Sequence, residues 1–216
     1  AYSLIHDDLP CMDDDNIRRG KLTTHKKFGE STAILAGNSL LTISFEILSS
    51  PELNIQSNLK NRIINLISKC AGHSGVAGGQ YLDLNYEKRN VTRNKIIDMQ
   101  RKKTGMLFQF CCLIPVLLSK KKQYFSRFAN IGLDIGLLFQ ITDDLIDHKG
   151  TAKKVGKKTR KDKKKGKATL ISLLGYKKTV IFGEKLKIKI QKKLKKYGNK
   201  SHDLHSTIDY ILERTK

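Results

Sequence analysis

An acidic cluster near the start of the chain is the strongest chemical signal in the sequence. Residues 6–20 contain five aspartates within nine positions, followed by two arginines: Asp7, Asp8, Asp13, Asp14, Asp15, Arg18 and Arg19. Carboxylates this close repel one another at neutral pH unless cations lie among them. A ligand set of aspartates suits a hard divalent cation, Mg²⁺ before Zn²⁺. The alternative interpretation is an acidic helix end that faces water.

A second acidic group, Asp143, Asp144 and Asp147, follows a strongly apolar stretch. Asp143 and Asp147 are four residues apart, so both face one side of a helix. Carboxylates at the end of a buried helix are costly without a partner. A metal ion shared with the first cluster would supply that partner. The alternative is a helix terminus whose acids face water.

Basic residues accompany both acidic groups. Arg18 and Arg19 follow the first, residues 102–105 (Lys-Lys-Thr-Gly) interrupt an apolar segment, and Lys157 and Lys167 follow the second. Carboxylates that hold Mg²⁺ beside arginine and lysine suit a diphosphate, because metal and cations together neutralise its oxygens. The pattern GxxxxGK[ST] of nucleoside triphosphatases does not occur, which disfavours that class.

Four long segments with helical spacing must position these residues: 31–50, 59–77, 96–118 and 125–146. None shows the alternation of a strand, so the sequence predicts an all-α protein of long, well-buried helices, with 125–146 at its centre. We expect one domain over residues 1–216. Residues 149–167 predict a basic loop, 184–196 a basic helix and 206–214 a short amphipathic helix.

The composition limits the class of protein. The net charge of +22 indicates an anionic partner: nucleic acid, anionic lipid or a phosphorylated small molecule. The apolar content is too high for a disordered chain, and no apolar run reaches the roughly 18 residues of a membrane-spanning helix. The four cysteines show neither metal-ligand spacing nor a disulfide framework, which favours free thiols and a cytoplasmic location.

Several motifs together resemble those of the trans-prenyl diphosphate synthases. Residues 6–13, followed by 18–20, resemble the first aspartate-rich motif of that family, and 143–147 resemble the second, DDxxD. Further family segments occur in the family's order at 29–30, 35–38, 78–80, 103–105, 139–140 and 208–214. The resemblance extends over essentially the whole chain. It implies an antiparallel helical bundle of the isoprenoid synthase type.

The resemblance implies a Mg²⁺-dependent condensation of isopentenyl diphosphate with an allylic diphosphate, dimethylallyl or geranyl, by a homodimer. A bulky residue at Tyr2, in the position that would form the floor of the product tunnel, favours farnesyl diphosphate as product. Geranylgeranyl diphosphate is the alternative, and Tyr2 as an ordinary core aromatic is the other interpretation of that residue. A regulatory subunit or inactive fragment fits less well, since both aspartate motifs are kept. Nucleic-acid binding through 149–167 and 184–196 fits less well because aromatic residues do not interleave the lysines.

The family's site residues can be assigned to this chain position by position. The predicted metal ligands are Asp7, Asp13 and Asp143, with Asp8, Asp144 and Asp147 ligating or orienting. The predicted substrate-binding residues are Arg18 for the allylic diphosphate, Arg19 for isopentenyl diphosphate, and Lys103, Thr104, Gln140, Lys157 and Lys167 around the allylic diphosphate and its tail. Lys103 and Lys157 are also expected to act in catalysis, with Asp7, Asp13 and Asp143. For Thr104 and Gln140 the alternative is helix capping or packing.

The chain departs from the family's pattern in three respects. The family's N-terminal third, with a Gly-Lys-x-x-Arg site for isopentenyl diphosphate, has no counterpart in these residues, so we expect weak activity from them alone. Asn38 stands where the family usually has Asp, and Leu22 where Pro is usual. Both lie outside the metal motifs, and we expect little effect on the chemistry.

Overall fold

Helices form nearly all of the regular structure. The structure is a computed structural model that describes residues 1–149 and 166–214. Its helices are α1 (Tyr2–Asp7), α2 (Thr24–Phe28), α3 (Glu30–Ser49), α4 (Ser57–Ala71), α5 (Val76–Asn85), α6 (Arg93–Gln100), α7 (Met106–Leu118), α8 (Phe125–Lys149), α9 (Leu170–Leu174), α10 (Tyr176–Leu194) and α11 (His202–Glu213). The only sheet in the described residues is a hairpin of two short strands, β1 (Ile17–Arg18) and β2 (Lys21–Leu22). The all-α prediction is confirmed.

Three predicted helix boundaries differ from the structure. The segment 59–77 is two helices, because the chain turns at residues 72–75 between α4 and α5. A side chain at Gly75 would place its Cβ 2.0 Å from the carbonyl oxygen of Cys70, so only glycine fits this turn. The basic helix begins at Tyr176 rather than 184, and the last helix at His202 rather than 206. Most of the predicted basic loop, 150–165, lies outside the described residues.

The described chain forms two compact units, residues 1–65 and residues 66–149 with 166–214. In the first unit, α1 and α2 pack against α3. The His6 ring lies over Gly37 so closely that a Cβ there would be 2.1 Å from Nε2. The single domain that we expect over 1–216 stays a prediction.

The α3 helix is mostly exposed, so the expectation of well-buried helices is wrong here. Its buried residues are Ala33 and Gly37, whereas Leu35 and Ile47 keep 64% and 59% of their surface exposed. The reason is that α1 and α2 cover only one side of it within the first unit. An apolar composition predicts that a helix face will be covered, but does not say by what.

The α3 helix also changes the membrane interpretation. Its 20 residues are long and apolar enough to cross a membrane by length and composition alone, so the expectation that no segment reaches this threshold is wrong. One such helix is weak evidence for a membrane span, because core helices and signal sequences pass the same test.

The second unit is built around α8, as the sequence predicts. Buried residues lie on every side of this helix, and its apolar ones join a core with α6, α9, α10 and α11. Gly136 allows α8 to pack directly on the chain before α7, since a Cβ there would be 2.4 Å from the Cα of Gly105. This close packing brings the end of α6 beside the acidic end of α8.

A buried carboxylate on α8 joins three cationic side chains. Asp134, which is 1% exposed, binds Arg101 at 2.8 Å, Lys193 at 2.7 Å and Lys189 at 3.1 Å. Burial alone would raise the pKa of Asp134, but hydrogen bonds and charges from Lys193 and Lys189 outweigh it and hold the pKa below its ordinary value of 3.8. The group ties α8 to α10 and to the segment after α6.

Replacing Asp134 by asparagine should lower the free energy of unfolding at pH 7 by about 2–3 kcal/mol, because three cations lose their shared charged hydrogen-bond acceptor. The folded pKa is below the unfolded one, so this stabilisation is present above the unfolded pKa and is lost as the pH falls through the folded pKa. Urea unfolding at pH 7 and below pH 4 measures both effects. Asp98→Asn, in an exposed pair with Lys102, is the control, with an expected change under about 1 kcal/mol. Equal losses in both variants would contradict a special role for Asp134.

All four cysteines are free thiols, as predicted. Burial, with a smaller effect of Cys111, raises the pKa values of Cys70 and Cys112 to about 11. These two thiols are therefore protonated at neutral pH and are poor nucleophiles.

Candidate active site

The first aspartate motif is a loop that folds back on the end of α1. The backbone N–H of Asp13 donates to the carbonyl oxygen of Asp7 at 2.8 Å, and that of Asp15 donates to Asp8 at 3.1 Å. Asp14 adopts a left-handed backbone with φ of 47°, a conformation that aspartate tolerates better than most residues. Asp7 and Asp13, six positions apart in sequence, are therefore adjacent in space.

Arg18 is bound to the carboxylate of Asp8. Its Nε donates to Oδ1 at 2.9 Å and to Oδ2 at 2.8 Å, and the guanidinium also lies 3.8 Å from Asp15. Burial alone would lower the pKa of Arg18, but the hydrogen bond and charge of Asp8, with the charges of Asp7 and Asp13, raise it. Asp8 thus orients an arginine beside the Asp7–Asp13 pair.

Arg19 occupies the tip of the β1–β2 hairpin. Arg19 and Gly20 both have positive φ, 53° and 76°, which is the requirement of the two-residue turn that best matches strand twist. Arg19 is exposed. At the base of the hairpin the Thr23 hydroxyl donates to the carbonyl oxygen of Asp15 at 2.6 Å, which fixes the end of the aspartate loop.

The second aspartate motif ends α8 and is held by amide side chains. Asp144, 4% exposed, accepts hydrogen bonds from Gln100 and Gln140, both at 2.9 Å. The Oε1 of Gln140 in turn accepts from the Thr104 hydroxyl at 2.8 Å. Thr104 and Gln140 therefore belong to one polar chain that leads to Asp144. Sequence reasoning did not find Gln100, since a lone glutamine in a helix has no distinctive spacing.

Asp143 of the same motif binds Arg214, which directly follows α11. The guanidinium of Arg214 donates to Asp143 at 2.8 Å and to the carbonyl oxygen of Phe139 at 3.1 Å, and lies 3.9 Å from the centre of the Phe139 ring. Sequence reasoning noted that residues 208–214 resemble the family's last helix but assigned Arg214 no role. That resemblance was the available signal.

Two of the predicted lysines meet on one buried carboxylate. Lys103 and Lys167 both bind Oδ2 of Asp83, at 2.6 and 3.3 Å, and all three side chains are at most 16% exposed. Lys103 lies in a π-helical turn, Arg101–Gly105, that joins α6 to α7. Gly79 on α5 allows this turn to approach, because a Cβ there would be 2.1 Å from the backbone nitrogen of Lys103.

The π-helical turn points its side chains to different helices. Arg101 reaches Asp134 on α8, Lys103 reaches Asp83 on α5, and Thr104 reaches Gln140 on α8. Such turns commonly occur at functional sites, because the extra residue per turn redirects the side chains. Asp83 was not predicted. The sequence feature that could have revealed it is a single carboxylate in an otherwise apolar helix, three residues after Gln80. Such a carboxylate needs a cationic partner if it is buried.

A cavity of about 1180 Å³ lies beside the second motif in the second unit. Its lining combines carboxylates, cations and hydroxyls; among them are Asp144, Asp147, Lys88, Arg89, Lys167 and Thr169. The backbone of Lys88 binds Gly166 at 2.8 Å, which fixes the position of the neighbouring Lys167. The predicted Lys157 lies outside the described residues.

Comparison with known proteins agrees with these motifs. The model of the polyprenyl synthetase family matches residues 1–211. The chain belongs to this family. Farnesyl diphosphate synthase of Micrococcus luteus is 38% identical over 218 residues, covering 100% of this chain and 74% of that protein. Geranylgeranyl diphosphate synthase of Cyanophora paradoxa is 37% identical over 216 residues, covering 99% of this chain and 72% of that protein.

A solved structure shows that this chain is also similar to a relative in its three-dimensional fold. Geranyltransferase of Helicobacter pylori, complexed with magnesium and isoprenyl diphosphate, aligns with a TM-score of 0.86 at 31% identity. The alignment covers 98% of this chain and 69% of that one. The chain spans 74% of the length of the M. luteus relative and 60% of that of farnesyl diphosphate synthase of Bacillus subtilis. The isoprenoid synthase type of bundle is confirmed.

The donor set of this polyprenyl synthetase fits magnesium. In residues 1–149 and 166–214, no three His, Cys, Asp or Glu side chains cluster closely enough to hold a metal by themselves. Mg²⁺ commonly takes one or two protein carboxylates and completes its octahedron with water and substrate phosphate oxygens. The adjacent Asp7 and Asp13 match that requirement, and oxygen is the ligand type Mg²⁺ prefers.

Proposed function

We propose that this polyprenyl synthetase condenses isopentenyl diphosphate with dimethylallyl or geranyl diphosphate and makes farnesyl diphosphate. The observation that carries the proposal is the π-helical turn after α6, because Lys103 and Thr104 each start a network of polar side chains there. Lys103 joins Lys167 on the carboxylate of Asp83. Thr104 connects through Gln140 to the second aspartate motif. The names of the M. luteus and H. pylori relatives support the same reaction. Geranylgeranyl diphosphate is the alternative product, as in the C. paradoxa relative.

The lysine group is suited to a leaving diphosphate. Lys103 and Lys167 bring two positively charged amino groups to one carboxylate, Asp83, in a largely buried place. Preorganised cations stabilise negative charge that develops in the transition state, and they do so more strongly where water is excluded. We assign Asp83 the role of holding both amino groups in position, and Lys157 the role of a further cation.

In the proposed reaction, the bond between the allylic carbon and the diphosphate oxygen breaks, which gives a carbocation and free diphosphate. The double bond of isopentenyl diphosphate forms the new carbon–carbon bond, and a proton is then lost. Arg18 would contact the allylic diphosphate and Arg19 the isopentenyl diphosphate. Apolar side chains around the reacting carbons would keep water from the cation.

The aspartates are proposed to hold Mg²⁺, through Asp7, Asp13 and Asp143. When bound, the metal neutralises and polarises the diphosphate oxygens. Asp8 already orients Arg18, and Asp144 is fixed by Gln100 and Gln140. We therefore propose an orienting role for these two carboxylates and for Asp147.

Product analysis tests the function directly. The whole gene product is incubated with labelled isopentenyl diphosphate, geranyl diphosphate and Mg²⁺, and the products are dephosphorylated and separated by chromatography. We expect a fifteen-carbon alcohol, and none in excess chelator. A regulatory subunit would instead make no product alone and would raise the turnover of an added catalytic subunit. That result would contradict the proposal.

We also propose a homodimer and a cytoplasmic location. The exposed apolar residues of α3, among them Leu35 and Ile47, support the dimer, since homodimers bury apolar faces of this kind. Sedimentation velocity would distinguish a dimer from a monomer. The cytoplasmic location rests on the proposed function.

A further inference from the structure

One face of α10 carries exposed lysines with two isoleucines between them. The residues follow one another at spacings of three and four: Lys178, Ile181, Lys185, Ile188 and Lys192 lie in α10, and Lys195, whose backbone is also helical, directly follows it. This spacing places all six on one side of the helix, and we call them the α10 stripe. The buried residues of α10 lie on the opposite side: Thr179, Gly183, Leu186, Ile190 and Leu194.

The two isoleucines are unusual for an exposed face. Ile181 and Ile188 each keep 50% of their surface exposed. They are seven residues apart, so they project from the same side about 10 Å from each other. Covering both would remove apolar surface from water, which favours a partner with an apolar interior.

The lysines of the α10 stripe differ from the other lysines of the same helix. Lys187, Lys189 and Lys193 pair with carboxylates of the second unit, at Asp209 or Asp134. The four stripe lysines make no hydrogen bond or ion pair with the part of the chain that the structure describes. Their charge is available to a partner. Glu184 is the one acidic residue within α10, so the face is strongly positive.

We infer that the α10 stripe binds an anionic lipid surface. A surface helix that presents lysines with aliphatic side chains between them is the type that lies in a membrane interface, with its apolar groups among the acyl chains. The stripe runs over about 25 Å from Lys178 to Lys195. Each lysine near an anionic bilayer strengthens binding about fivefold.

Nucleic acid suits the α10 stripe less well. Single-stranded nucleic acid is bound by aromatic rings or arginine planes that stack on bases, together with a basic groove. The stripe contains neither, and its isoleucines offer nothing to a phosphate backbone. The lysines therefore favour an anionic partner, and the exposed isoleucines favour a lipid membrane over nucleic acid because a membrane has an apolar interior.

Vesicle co-sedimentation at about 0.1 M salt tests the inference, because longer-range attraction is screened at that ionic strength. The whole protein is mixed with vesicles of phosphatidylcholine alone or with one quarter phosphatidylglycerol. We expect binding to the anionic vesicles only. Lys178→Gln, Lys185→Gln and Lys192→Gln together should weaken it more than about tenfold. Ile181→Ser with Ile188→Ser, which keeps every charge, should weaken it by about tenfold.

A matched control separates the α10 stripe from the net charge of the protein. Lys120, Lys121 and Lys122 are exposed in the turn before α8, and their change to glutamine removes the same charge. We expect this control to bind within about threefold of wild type, because those lysines lie outside the stripe. Circular dichroism checks that each variant is folded.

Four results would overturn the inference. Wild type could fail to bind anionic vesicles, or the control could weaken binding as much as the stripe variant. The isoleucine variant could bind like wild type, which would show that charge alone accounts for the binding. A single-stranded RNA could bind more tightly than the vesicles and lose affinity on the stripe substitutions, which would assign the face to nucleic acid. Prenyl transfer is a separate readout, and we expect all these variants to retain it.

Discussion

Asp7→Asn should lower prenyl transfer about a thousandfold. The carboxylate of Asp7 is brought beside Asp13 by the hydrogen bond between their backbones, and this pair is the proposed metal site of the first motif. Losing a metal-borne stabilisation of about 4 kcal/mol at the leaving diphosphate corresponds to about that factor. The asparagine side chain keeps the shape of aspartate and removes the charge. Asp143→Asn should have an effect of similar size in the second motif.

Asp14→Asn is the matched control for this prediction. Asp14 lies in the same loop, is exposed, and has a left-handed backbone that asparagine adopts as readily as aspartate. We propose no metal role for it, so its turnover should stay within about threefold of wild type. Initial rates over a range of Mg²⁺ concentrations measure both variants. Equal losses in Asp7→Asn and Asp14→Asn would mean that the loop contributes only bulk charge.

A binding measurement makes the result independent of turnover. Titration calorimetry with inorganic diphosphate should show binding to wild type that requires Mg²⁺, and weaker binding to Asp7→Asn and Asp143→Asn. Diphosphate that binds equally with excess chelator would contradict the proposed metal sites. Because Arg214 holds Asp143 in the structure, Arg214→Gln would report whether that pairing matters for the same binding.

The sequence predicts those parts of the candidate site whose members are close along the chain. The two aspartate motifs, Arg18 and the pair Lys103–Thr104 each carry their signal within a few residues, so motif spacing suffices. Asp83 and Arg214 were missed because their partners are distant in sequence: Lys167 is 84 residues from Asp83, and Asp143 is 71 from Arg214. A lone charged residue on a helix has no local pattern that reveals such a partner.

The difference between local patterns and distant contacts also explains which parts of the fold the sequence predicted. Helical spacing predicted α8 and its burial, because a helix that is apolar nearly all round must be central. It failed to predict the exposure of α3, since apolar residues indicate only that a face can be covered. It also missed the turn at residues 72–75, where a close approach to the Cys70 carbonyl, rather than any change in periodicity, separates α4 from α5.

Tyr2→Ala should lengthen the product from fifteen to twenty carbons. We propose that the growing tail runs along the helix that carries the first motif, where Tyr2 lies on α1, about one turn before Asp7. The side chain is half-buried and packs edge-on against the His6 ring at 6.4 Å. His6 in turn lies over Gly37 of α3, so the tyrosine ring is held in place. A packed wall has no spare volume for another five-carbon unit, and removing the ring would create it.

Tyr2→Phe is the matched control, because it keeps the ring and removes only the hydroxyl. We expect the fifteen-carbon product from Tyr2→Phe and wild type, and a mixture shifted to twenty carbons from Tyr2→Ala, all read by chromatography of the dephosphorylated alcohols. The total turnover of Tyr2→Ala should change less than its product ratio, since the proposed contact of Tyr2 is with the tail rather than with the diphosphate. If Tyr2→Ala still stops at fifteen carbons, the floor of the tunnel is another side chain, and Tyr2 is a core aromatic that supports His6 against α3.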